Sequence, residues 1–303
     1  MSLPGNPWGG QPSGGGSVDG RPGEGTPVGG RSCDTSGGVA RTARGLDEVK
    51  GVVLAGGLGT RLLPMTRVTN KHLLPVYDRP MIFYPLQQLA AAGIDDILVV
   101  TGGDHAGDFL KLLRNGQDFG LEHLRYAYQE GEGGIAAALG LAEHFAAGEP
   151  IVVILGDNIF QDSLGEAVAQ FRANPHGAMV LLKSVSDPER FGVATVEGDR
   201  VVRIVEKPDR PETDLAVTGC YMYDARVFDV IRGLTPSGRD ELEITDVNSR
   251  YIEWGELRHA ELQGWWTDAG TVTSLQRAAD LVAADRGNPI LAGQVDLGQA
   301  GGN

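Results

Sequence analysis

The chain has 303 residues, 41% hydrophobic and 22% charged, a globular composition with room for one large or two ordinary domains. Its formal net charge of −14 leaves no basic field to offset phosphate repulsion, which excludes a general nucleic-acid or acidic-membrane binder; a phosphorylated ligand needs a local pocket. Cys33 and Cys220 are too few for a metal framework, no run approaches the roughly 20 apolar residues of a membrane span, and no charged-then-apolar secretory signal opens the chain. A soluble cytoplasmic protein is expected.

Residues 1–48 carry runs such as WGGQPSGGGS with almost no apolar periodicity, and this density of glycine and proline predicts a disordered leader. Val49 is a candidate alternative initiator. A domain is expected over 49–286, in which strands and helices alternate. VKGVVLA reads as a strand, MIFYPLQQLAAAGI as a helix with Pro80 at its start, DILVVTG as a strand and HAGDFLKLLRNG as a helix. The alternation continues through LRYAYQ, an amphipathic helix in IAAALGLAEHFAAG, the strand PIVVILGD, the helix SLGEAVAQFRAN and the strand AMVLLKSV. Such alternation implies a parallel sheet. Beyond it, FGVATVEGDRVVRIVEKP alternates around EGDR as an antiparallel hairpin and AVTGCYMYD is a further strand, so a sheet of mixed direction is expected. A helix in LEITDVNSRYIEWG, a strand LRHAELQ and a helix in TVTSLQRAADLVAADR complete the domain, and 287–303 reads as a flexible tail.

LAGGLGTR, residues 54–61, follows the first strand, where a glycine-rich turn lets backbone N–H groups converge on an anion. It is not a Walker loop, and the dinucleotide pattern fails because Leu62 stands where its third glycine belongs. A tight turn explains it equally simply; Arg61 favours phosphate by adding a fixed guanidinium, and Lys71 in TNKHLLP is either a second phosphate cation or a solvated lysine. Asp157 ends the strand IVVILG and Asp268 precedes a helix, positions open to a turn residue and a helix cap as well as to metal ligands.

The stretch GVVLAGGLGTRLLPMTRVTNKHLLPVYDRPMIFYPL resembles the signature of the sugar-phosphate nucleotidyltransferases, specifically the short-form bacterial glucose-1-phosphate thymidylyltransferases. GDN at 156–158, DPERFGV at 187–193, EKP at 206–208, AVTG at 216–219, ELEITDVN at 241–248 and WWTDAGT at 265–271 recur in the family's order, over about 49–285. The resemblance implies an α/β fold: a Rossmann-like mixed, mainly parallel sheet flanked by helices, the nucleotide-diphospho-sugar transferase fold. It implies attack of glucose 1-phosphate on the α-phosphorus of dTTP, with pyrophosphate leaving. The nucleophile is already anionic at neutral pH, so the work is positioning and charge neutralisation.

The resemblance makes Arg61, Lys71, Asp157 and Asp268 catalytic, with Asp157 and Asp268 holding Mg²⁺. Leu54, Gly56, Gly57, Gly59, Thr60, Arg61, Gln129, Gly134 and Asp157 would bind the nucleotide, Gln129 and the glycines Gly133 and Gly134 of EGEGG facing the pyrimidine. Lys71, Asn158, Gly192, Glu206, Lys207, Val217, Arg239 and Trp266 would bind the sugar phosphate. Without the resemblance, Glu206 and Lys207 read as a hairpin salt bridge and Trp266 as core. Two departures stand out: Ala137, where related enzymes typically carry glutamine, and Asp240, where a small residue is usual. The alternatives are UTP or another sugar or cyclitol 1-phosphate, and an inactive nucleotide-sugar-binding regulatory subunit; retention of all four catalytic candidates favours an enzyme. A homo-oligomer, often a tetramer, is implied as well.

Overall fold

A computed structural model of the chain describes residues 48–291; residues 1–47 and 292–303, most of the expected leader and tail, lie outside the described residues. The β-branched run after Lys50 forms β1 (Lys50–Ala55), buried on both faces. Three single 3₁₀ turns (Thr60–Leu62, Met65–Arg67 and Lys71–Leu73) and a ribbon of β2 (Pro75–Val76) and β3 (Arg79–Pro80) lead into α1 (Phe83–Ala91). Then come β4 (Asp96–Gly102), α2 (Ala106–Leu113) and β5 (His123–Gln129).

The amphipathic helix expected over 135–148 forms as two, α3 (Gly134–Gly140) and α4 (Glu143–Ala146). Leu141 N–H bonds back only three residues, to Ala138 O at 3.2 Å, and Ala142 N–H to Leu139 O at 2.9 Å. The ladder tightens and breaks just after Gly140, the weakest helix former in the run.

β6 (Ile151–Leu155), β7 (Asn158–Phe160), α5 (Gly165–Ala173), β8 (Ala178–Ser184), β9 (Gly192–Glu197), β10 (Arg200–Glu206) and β11 (Leu215–Tyr223) follow. The described chain ends with α6 (Val227–Arg232), α7 (Ile244–Glu253), β12 (Leu257–Glu261), β13 (Trp266–Asp268) and α8 (Val272–Ala284). α8 opens on a reciprocal cap in which Thr271 and Ser274 each accept from the other's backbone N–H.

Nine strands form one sheet in the order β5-β4-β1-β6-β11-β8-β12-β10-β9. β5, β4, β1 and β6 are parallel, β11 runs against β6 and β8, β12 is parallel to β8, and β9 and β10 form the hairpin around EGDR. Alternate residues of each strand enter opposite cores. Val53 packs with Phe83 and Leu86 of α1, Phe109 of α2 and Phe171 of α5. Val52 and Leu54 pack with Leu139 of α3, Phe228 of α6 and Tyr251 of α7. Each such fully buried side chain contributes about 1.5–3 kcal/mol.

A third cluster joins Ala278 and Val282 of α8 to Val76, Tyr84 and Leu291. Leu291 is only 3% exposed, and Asn288 Nδ2 donates to the Gln161 carbonyl at 2.9 Å. The packed region therefore extends past 286, into residues read from sequence as tail, because an apolar side chain five residues further on closes this cluster.

From β1 the chain passes to β4 on one side, and β6 is later laid on the other. The strand order reverses between β1 and β6, and open α/β sheets bind ligands at the carboxyl ends of strands flanking such a reversal.

Candidate active site

The glycine loop leaves the end of β1 at that crevice. Gly57 has φ 90° and Gly59 φ 62°, values that favour glycine. Bare backbone is also required by space: a Cβ on Gly56 would lie 2.4 Å from Gln129 Oε1, and one on Gly59 2.9 Å from Lys71 Cβ. The loop is thus folded tightly against the end of β5 and the turn carrying Lys71. The Leu58 N–H donates to Glu132 Oε1 at 3.2 Å, so one loop donor already holds a carboxylate.

Lys71 opens a 3₁₀ turn capped by Asn70, whose Oδ1 accepts from the His72 N–H at 2.9 Å. The turn buries His72 against Gly156, where a Cβ would lie 2.7 Å from the imidazole Cδ2. Burial, and then the charge of Lys71, lower the His72 pKa to about 3, so the ring is neutral. Lys71 Nζ reaches Asp157 Oδ2 at 2.7 Å. Burial works to raise the Asp157 pKa, but the Lys71 charge and the hydrogen bonds from Lys71 and Asn158 outweigh it and hold the carboxyl well below the usual range.

Asp268 arrives from the other end of the domain on β13, which pairs with β7 so that Asp268 stands opposite Asn158; Ala269 N–H donates to Asp157 O at 2.8 Å. Burial, and then the Asp157 charge, push the Asp268 pKa up to about 6 against the pull of Arg190, Arg61 and Lys71. Gly270 locates where these groups converge. A Cβ there would lie 3.4 Å from Asp157 Oδ2 and 3.7 Å from both Asp268 Oδ2 and Arg61 Nη2. Two carboxylates and a guanidinium thus border one clear space. Two carboxylates facing one space offer oxygen ligands of the kind a hard divalent cation takes.

These groups line a cavity of about 430 Å³. On one wall Gln129, at the end of β5 and 9% exposed, faces Gly134, with Ile135, Ala138, Leu155 and Tyr221 supplying apolar surface. Opposite, Trp266 Nε1 donates to Asn158 Oδ1 at 2.7 Å, Lys207 Nζ lies 3.4 Å from Glu206 Oε1, and Thr245 donates to Glu206 Oε2 at 3.1 Å. Arg239 lines the cavity with its guanidinium forked on Glu243 at 2.9 and 3.0 Å. Asp240 beside it adopts φ 61°, in the left-handed region that Asp takes more readily than most residues other than glycine.

Every residue expected in the site lines this cavity except Gly59, Thr60 and Gly133. Gly59 lies beneath Lys71, and Thr60 starts the exposed turn whose next residue, Arg61, reaches in. Sequence reasoning missed Arg190, Glu132, Tyr221 and the acids that hold Arg239. Arg190 Nη2 stands 3.7 Å from Asp268 Oδ1 while Nη1 grips Asp187 at 2.6 Å. It sits inside DPERFGV, so the motif pointed to the place but not to that side chain.

A family profile described as nucleotidyl transferase matches residues 50–285. The chain belongs to the nucleotidyl transferase family. Among relatives, the glucose-1-phosphate thymidylyltransferase of Neisseria meningitidis is 48% identical over 238 residues, covering 77% of this chain and 82% of the relative. That of Actinoplanes is 42% identical over 252 residues, 82% and 83% of the two chains. A crystal structure from Bacillus anthracis, described as a glucose-1-phosphate thymidylyltransferase in complex with a sucrose, superposes with a TM-score of 0.74 at 52% identity. The match covers 77% of this chain and 94% of that one. A UDP-glucose pyrophosphorylase at 23% identity, TM-score 0.68, shares the fold.

Proposed function

We propose that this member of the nucleotidyl transferase family transfers a thymidylyl group from dTTP to glucose 1-phosphate, giving dTDP-glucose and pyrophosphate. The observation that carries the reading is the convergence of Asp157, Asp268 and Arg61 on the space over Gly270, with Lys71 against Asp157. The substrate pair rests on relatives of that name at 42% to 48% identity.

Glycine-loop N–H groups and Arg61 hold the triphosphate, Leu58 N–H exchanging Glu132 for a phosphate oxygen. Gln129 presents both an acceptor and donors to the imide edge of thymine. Glu206 accepts from sugar hydroxyls, and Lys207 and Arg239 take the sugar phosphate. One phosphate oxygen of the sugar then bonds to the α-phosphorus while the bond to the α–β bridging oxygen breaks and pyrophosphate leaves with that electron pair. Lys71 neutralises charge on the phosphates as they react, and no general base is required. Asp157 and Asp268 would hold Mg²⁺, which when bound supplies Lewis-acid charge to the phosphate oxygens. The reading carries with it a cytoplasmic homo-oligomer, as the resemblance implies.

Pyrophosphate release measured with dTTP, UTP, CTP, ATP and GTP against a panel of hexose and cyclitol 1-phosphates tests it. Highest kcat/KM for dTTP with glucose 1-phosphate is expected. Preference for another pair, or no turnover with Mg²⁺ across the panel, overturns it.

A further inference from the structure

Asn158 is 3% exposed and stands between the two halves of the site. Its amide oxygen accepts from the Trp266 indole at 2.7 Å and from the Gly219 N–H at 2.9 Å. Both partners can only donate, so the oxygen must face them and the nitrogen must face the other way. There Nδ2 donates to Asp157 Oδ1 at 3.0 Å. Lys71 takes the other carboxylate oxygen at 2.7 Å, so Asp157 cannot turn about its Cβ–Cγ bond without losing a partner.

The strand beside this amide is shaped to admit it. A Cβ on Gly219 would lie 2.5–2.7 Å from the amide atoms of Asn158. The pairing of β11 with β8 shifts register between Val217 and Tyr221, across that glycine. Both strong acceptor directions of the Asn158 oxygen are used inside the protein, leaving one Nδ2 hydrogen for anything else.

We propose that Asn158 is the positioning residue that locks the sugar wall to the reacting carboxylate. It fixes Trp266 and β11 on one side and the orientation of Asp157 on the other. What the two halves bind rests on the functional reading above; the lock itself does not.

Two variants separate its functions. Asn158→Asp keeps an acceptor for Trp266 and Gly219 and replaces the donor to Asp157 with a carboxylate oxygen. Asn158→Leu keeps the volume and removes every bond. For Asn158→Asp, a crystal structure is expected to keep Trp266 and Gly219 in place while the Asp157 carboxylate turns. The kcat of this variant, and its affinity for Mn²⁺ followed by electron paramagnetic resonance, are expected to change by about tenfold or more. For Asn158→Leu, KM and kcat are both expected to suffer. A displaced Trp266 in the Asp variant, or an unchanged kcat and Mn²⁺ affinity in it, overturns the proposal. So does a folded Leu variant with KM, kcat and Mn²⁺ affinity all unchanged.

Absence of wild-type turnover with any substrate pair would instead count against the functional reading. The ligand-free crystal structure of Asn158→Leu then decides the lock: both Trp266 and Asp157 are expected to move, and either one staying in place overturns it.

Discussion

An ammonium 2.7 Å from a partly buried carboxylate has a purely structural use, since each charge neutralises the other. Lys71→Ala separates that use from catalysis. Turnover is expected to fall by roughly 10²–10³-fold with little change in KM for glucose 1-phosphate, checked by steady-state kinetics. A lysine that only neutralised Asp157 would show its loss in thermal melting instead. Gly59→Ala tests the support beneath it. The new methyl meets both a left-handed φ and the Lys71 side chain, whereas at Gly57 the φ is also positive but no atom lies within 4 Å. Both alanine variants are expected to cost about 1–2 kcal/mol in denaturant melts. Only the Gly59 variant is expected also to displace Lys71 and so resemble Lys71→Ala in turnover. Which residues gather in the cavity was legible from motifs in the family's order. Glu132 and Arg190 were not, because a charged side chain in such a motif reads the same whether it points to solvent or to a partner, the Leu58 N–H for Glu132 and the Asp187 and Asp268 carboxylates for Arg190.

At the scale of elements, strands and helices with a clean period of 2 or 3.6 were legible, and β4 falls on the run DILVVTG that predicts it. The short pieces were not. β7 and β13 have three residues each, too few for a period, yet their pairing brings Asp268 to the site. The break between α3 and α4 was hidden because its apolar residues stay in helical phase across Gly140. The end of the domain was misjudged because Leu291 sits among glycines and polar residues that read as tail. Relative to a chain ending at 291, one ending at 286 is therefore expected to lose about 2–3 kcal/mol of stability through removal of Leu291 and the Asn288 bonds. Paired denaturation curves check this. Within β11, burial pushes the Cys220 thiol well above its ordinary range. In a Cys33→Ser background no reaction with an aromatic disulfide reagent is expected until denaturant opens the sheet.

For the whole molecule, composition alone distinguishes a glycine- and proline-rich N-terminal segment from the alternating region. Val49 is buried, and Lys50 N–H bonds to the Pro150 carbonyl at 3.0 Å, so β1 is tied into the sheet from its first residue. Removal of residues 1–47 is expected to leave kcat/KM and melting temperature unchanged; loss of either would give that segment a part in the domain. The mixed direction of the sheet was legible in the turn EGDR, but the strand order was not, since β11 inserts between β6 and β8 through contacts distant in sequence.

That long-range arrangement also sets an order of events. Asp157 follows β6 in the middle of the chain, while Asp268 is delivered by β13 near the end of the domain. A ribosome has synthesised the glycine loop, Lys71 and Asp157 well before the second carboxylate exists, and closing so long a loop comes late and slowly. On the proposed reading, affinity for a divalent cation with nucleotide appears only once β13 has docked on β7.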